Sequence, residues 1–138
     1  MSGLALSFGQ KRNWSVAVSI SASVKSSPTE GAVLLEALLR TGEQLGLRKR
    51  ELGDIIHLDD RTLRRKVELD PESAPGQLGL LLVRAYRSAF VLMGGEEGAR
   101  HWFQTENRAL NGVPREIATR IDGLVRVVSY LDAMRGKV

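Results

Sequence analysis

The chain is 138 residues long and 43% hydrophobic, enough for one generous domain or two small ones with a real core. It holds no cysteine, which excludes a disulfide framework and any thiolate metal site and fits a reducing cytosol. A formal charge of +4 favours an anionic partner such as nucleic acid without requiring one.

Neither a membrane span nor a secretory signal is legible. The longest apolar run, Leu78 to Gly95, is broken by Arg84 and Arg87 and is too short to cross a bilayer. After Lys11 and Arg12 the chain alternates with serine instead of forming a continuous apolar stretch. His57 and His101 lie far apart and in no metal-binding spacing, so neither a metal nor a cofactor is expected. The composition reads as that of a cytoplasmic protein.

The first element in chain order is "WSVAVSISASV", residues 14–24. Trp14, Val16, Val18, Ile20, Ala22 and Val24 fall on one face and mostly serines on the other, which predicts a half-buried β-strand. A lone strand leaves its backbone groups unpaired. It therefore needs its own copy in a dimer or a partner chain; failing both, residues 1–27 form a disordered, serine-rich extension.

At Ser27 the pattern turns helical. Ser27 suits the cap, Pro28 the first helical position, and Glu30 closes a capping box. The predicted helix runs to about Leu45, with Leu34, Ala37, Leu38, Thr41 and Leu45 on one face and Gly46 as a left-handed terminator. A second helix covers about Arg48 to Ile56. A third starts at Asp59 or Asp60, either of which can cap, and turns Leu63 and Val67 inward. The segment "DPESAPGQ", residues 70–77, is rich in helix breakers and reads as a linker. It separates a domain at 28–69 from one at 78–138.

The second half opens with Leu78 to Met93, apolar almost all round except at Arg84, Arg87 and Ser88, as in a mostly buried helix. Gly94 and Gly95 end it. A short helix follows through Phe103, with Glu96 and Glu97 in its first turn. A loop then leads to Pro114, which starts another short helix. Asp122 is placed to cap a last one carrying Leu124, Val128, Leu131 and Met134 at helical spacing. No internal repeat is visible, and the fold class is all-α apart from the strand candidate.

Residues 45–66 read as a helix-turn-helix, which needs two short helices locked at a fixed angle. Leu52, Ile56, Leu58 and Leu63 fall in the expected inter-helix core, and Gly53 stands where close approach needs a small residue. Arg61, Thr62, Arg64, Arg65 and Lys66 then face outward, suited to base edges and phosphates. Two features oppose a DNA role. His57 occupies a turn position often held by glycine, and Asp59 and Asp60 put negative charge at the end of the helix that approaches DNA. Residues 40–69 hold eight basic and six acidic residues, a net charge of only +2. The same tri-helical unit also serves as a dimerisation block, so both roles stay open.

The C-terminal half shows no nucleophile–base pair, no phosphate-cradling glycine loop and no metal cluster, which disfavours an enzyme. Trp102 and Phe103 are most simply core residues; Asn107 and Gly112 are most simply turn residues. Their order is nevertheless distinctive: a Trp–Phe pair, a polar loop with Asn107 and Leu110, "NGVPREI", then a helix from near Gly123 to Gly136. This arrangement resembles the toxin-binding domain of the Xre/MbcA/ParS antitoxins over residues 78–138. The preceding helix-turn-helix matches that family's domain order, and residues 1–27 lie outside the likeness. One departure is Val113, where a hydroxyl residue commonly precedes the proline.

The resemblance implies an antitoxin of a type II toxin–antitoxin system whose partner is a RES-domain toxin acting on NAD, by breakdown or by ADP-ribosyl transfer. It implies direct toxin binding, self-association into a homodimer and a larger assembly with toxin, and repression of the protein's own operon through the helix-turn-helix. The toxin-binding residues would be Trp102, Phe103, Asn107, Leu110, Arg135, Gly136, Lys137 and Val138, with the extreme C-terminus in the NAD cleft. The Val138 carboxylate would meet the cleft's positive groups, Arg135 or Lys137 its carboxylates, and Gly136 would let the backbone bend. The strand at 14–24 would add to a toxin sheet edge or pair with a symmetry mate. The rival reading is a plain transcription regulator whose C-terminal helices only dimerise.

Overall fold

The computed structural model describes residues 28–136. The strand or arm expected at 14–24, the Ser27 cap, Lys137 and Val138 lie outside the described residues. Within them the fold is all-α, with helices α1 (Glu30–Gln44), α2 (Lys49–Ile56), α3 (Asp60–Arg65), α4 (Ala74–Met93), α5 (Glu96–Gln104), α6 (Pro114–Ile117) and α7 (Ile121–Gly136).

The cap of α1 is Thr29, two residues later than the sequence suggested. Its Oγ1 accepts from the Ala32 amide (3.0 Å) and donates to Glu68 Oε1 (2.8 Å). One hydroxyl thus starts the helix and ties it to the segment after α3. Leu34, Leu38, Thr41 and Leu45 are buried along the expected stripe, and Gly46 ends it at φ +77°.

Two expectations in the middle of the chain are corrected. The prolines and glycine of residues 70–77 do not keep the helix out: Ala74 to Gln77 form the first turn of α4, where the missing proline N–H costs nothing. Ser73 caps that turn by accepting from the Gly76 amide (3.0 Å), and a Cβ at Gly76 would collide with the Asp70 carbonyl oxygen. Val67 does not face inward but is 82% exposed. α3 stops at Arg65 and Lys66 is extended, so the helical register is lost before Val67. Leu69, 1% exposed, takes the inward place, and its amide donates to the Gly31 carbonyl (2.9 Å).

α4 is the axial element, packed against α1, α2, α5 and α7. Leu78, Leu82, Val83, Ala85, Tyr86 and Ala89 are buried on it. It is not buried all round, as its composition suggested, because Leu80, Phe90 and Val91 are exposed while Ser88 is inside. α7 begins two residues earlier than an Asp122 cap would allow, at Ile121, so Asp122 sits inside its first turn instead of capping it. Leu124, Val127, Val128 and Leu131 complete one continuous core that runs from α1 to α7. Each fully buried leucine or phenylalanine there contributes about 1.5–3 kcal/mol relative to exposure.

Candidate functional site

The first surface is built on α2 and α3. Glu51 caps the start of α2 from within its first turn: its Oε1 accepts from the Arg48 amide (2.8 Å). That amide bond, followed by the nearby Arg48 and Arg115 guanidinium groups, holds the Glu51 carboxyl below its ordinary range. At the turn, His57 adopts the left-handed conformation (φ 62°) that the sequence flagged as costly. The chain bends there because the Leu58 amide returns to the Gly53 carbonyl (2.9 Å), and a Cβ at Gly53 would strike the Leu58 carbonyl oxygen. Asp59 caps α3 by accepting from the Thr62 amide (2.8 Å) and the Thr62 hydroxyl (3.0 Å), which lowers its carboxyl from the usual value.

This geometry sorts the five residues expected at DNA. With Leu63 buried, helical spacing turns Arg61 and Arg65 to the opposite side and Arg64 to the flank, and all three are exposed. Arg64 sits 3.5 Å from Asp60, so one of the two aspartates neutralises its own neighbour while the other is consumed as a cap. Thr62 is half-buried with its hydroxyl engaged at Asp59, and Lys66 follows the helix in extended backbone.

The second surface is built on α5, α7 and the loop between α5 and α6. Trp102 stacks on Tyr130 with centroids 6.1 Å apart and rings 12° from parallel. Both are partly buried and pack against the core. Phe103 (1% exposed) and Leu110 (4%) were expected at the toxin but are interior. Phe103 occupies the inward face of α5, and Arg126 reaches the Leu110 carbonyl (2.7 Å) from α7. Asn107 shapes the loop: its side chain accepts from the Leu110 amide (3.0 Å), and its backbone pairs both ways with Gly112. Asn111 takes the left-handed position beside it. Val113 precedes α6 without a side-chain cap, as its lack of a hydroxyl implied. Arg135 turns to α4, donating to Ser88 Oγ (3.2 Å), and Gly136 is exposed with open space around it.

A polar bridge that the sequence did not reveal joins the two surfaces. Arg100 and Gln104 of α5 donate to the carbonyls of Gln44 (3.1 Å) and Leu45 (2.8 Å), capping the C-terminal end of α1. Gln104 Oε1 accepts from Arg115 (2.7 Å), whose guanidinium also reaches Glu51 (3.3 Å). His57 Nε2 donates to the Thr119 carbonyl (3.0 Å). The partners are 11 to 64 residues apart, so no local pattern announces them. Tyr130, packed at the edge of the core, was missed likewise; its helical offset from Leu131 was the one signal that could have found it.

Residues 26–84 match the family described as the antitoxin Xre-like helix-turn-helix domain, and residues 88–137 match the antitoxin Xre/MbcA/ParS C-terminal toxin-binding domain. Between them the two matches leave out only residues 1–25, 85–87 and 138. The chain belongs to the Xre/MbcA/ParS antitoxins. A search of curated proteins found no match. The antitoxin therefore carries its helix-turn-helix on α1 to α3 and the start of α4. Its toxin-binding domain begins within α4 and extends along α7. No single described helix is long and apolar enough to cross a membrane.

Proposed function

We propose that this antitoxin neutralises a RES-type toxin that acts on NAD, by breakdown or by ADP-ribosyl transfer. Contact is made by the Trp102–Tyr130 edge and the Asn107 loop, and Arg135 to Val138 enter the NAD cleft. The observation that carries this reading is the end of α7 within a matched toxin-binding domain. The helix runs to Gly136, which is exposed, and a Cβ there would meet nothing within 4 Å. Phe103 and Leu110 support that face from within. α3 presents Arg61, Arg64, Arg65 and Lys66 to operator DNA, and a homodimer spans two half-sites to repress the operon. Toxin joins it in a larger assembly.

The test is co-expression of the cognate toxin with the full antitoxin or a form lacking residues 135–138, scoring growth and cellular NAD. Rescue by the full chain alone is expected. Equal rescue by both forms would move inhibition to the Trp102 face, and a toxin harmless on its own would remove the NAD reading altogether.

A further inference from the structure

Apart from these surfaces, a groove of about 430 Å³ opens between the beginning of α1 and the middle of α4. Val33, Leu34 and Ala37 line it from α1, and Leu80, Val83 and Arg87 line it from α4. Val33 is 51% and Leu80 44% exposed, so two aliphatic side chains on neighbouring helices stand in water. Pro28 also lines the groove, so the described chain begins at its edge. Glu30 lies there too, and among the described residues it makes no ion pair.

We propose that this groove is the docking site for residues 14–24 of the same chain, which lay the face of Trp14, Val16, Val18, Ile20, Ala22 and Val24 over Val33 and Leu80. That segment is apolar at every second residue, so one face gains from burial while its serines remain in water. Val24 precedes Pro28 by four residues, a reach of at most about 14 Å, so the apolar face is delivered directly to the groove mouth. Lys25, which follows that face, is opposite in sign to Glu30. Tethering favours the same chain over a second copy, because a short connection gives an effective concentration of about millimolar. The proposal is independent of the toxin reading.

The chain's lack of cysteine gives a clean background for disulfide scanning. Leu80→Cys is combined in turn with a cysteine at each position from 16 to 22, oxidised mildly and resolved without reductant. Internally crosslinked monomer is expected to peak at even positions (V18C, I20C, A22C) and to fall at least fivefold at A17C, S19C and S21C. Crosslinked dimer would overturn the proposal in favour of a second copy, and uniform crosslinking would overturn it in favour of an unbound tail. Absence of crosslinks at every position would overturn it too. As a second readout, Trp14 fluorescence in a Trp102→Phe background should be blue-shifted and should move to longer wavelength with Leu80→Asp; indifference to Leu80→Asp counts against docking.

Discussion

Glu51 does three jobs with one carboxylate: it accepts the Arg48 amide at the start of α2, pairs with the Arg48 guanidinium and receives Arg115 from the other half of the molecule. Its pKa is depressed in the folded state, so the stabilisation is fully present above the ordinary glutamate value and is lost as the pH falls below it. Glu51→Gln should therefore cost about 1 kcal/mol at neutral pH. It should also flatten the acid limb of the stability curve below about pH 4.5, checked by urea unfolding at several pH values. Gly53 carries a different kind of constraint. The Leu58 carbonyl fills the place a Cβ would take, so Gly53→Ala should destabilise by about 1–3 kcal/mol through overpacking at the turn. The sequence shows that a small residue belongs at position 53, because the helix-turn-helix spacing is local. It does not show that Glu51 meets Arg115, because that meeting is made by the fold.

Among the elements, α5 shows how far pattern reading goes and where it stops. Adjacent aromatics at 102 and 103 look equivalent in the chain, but consecutive helical residues point about 100° apart, and only one of them can face the core fully. Phe103→Ala should destabilise by about 3–5 kcal/mol and lower toxin binding only through unfolding. Trp102→Ala should leave a folded protein, by circular dichroism, that binds toxin at least tenfold more weakly. α3 is read from its charges in the same way. Arg61→Ala and Arg65→Ala should each reduce the salt dependence of operator binding by about one unit of log–log slope per lost phosphate contact. Asp59→Ala should instead lower the urea midpoint of unfolding through loss of the cap, with the salt slope unchanged. The order and type of the helices were legible because their periodicities are strong, as on α1 and α7. The start of α4 and the fate of Val67 were not. A proline is a breaker in mid-helix but a good beginning in the first turn, and which role applies depends on Ser73 and Asp70 closing a cap that spacing alone does not display.

At the scale of the molecule, two family domains share one helix. α4 lies within the helix-turn-helix match up to residue 84, yet Tyr86, Ala89 and the core residues of α7 need its full length. A fragment of residues 88–138 expressed alone should therefore be largely unfolded by circular dichroism, and the full chain should melt in a single transition. The cap that Arg100 and Gln104 place on α1 has a consequence for how the protein is born. Residues emerge from the ribosome at about 5–20 per second. The carbonyls of Gln44 and Leu45 are made first, but the side chains that satisfy them follow 56 and 59 residues later. For roughly 3 to 12 seconds of synthesis the nascent helix-turn-helix has an unfinished end. It is completed only when the start of the toxin-binding half has left the exit tunnel, so a truncated translation product would lack the toxin-binding domain and would also be left without a finished helix-turn-helix half.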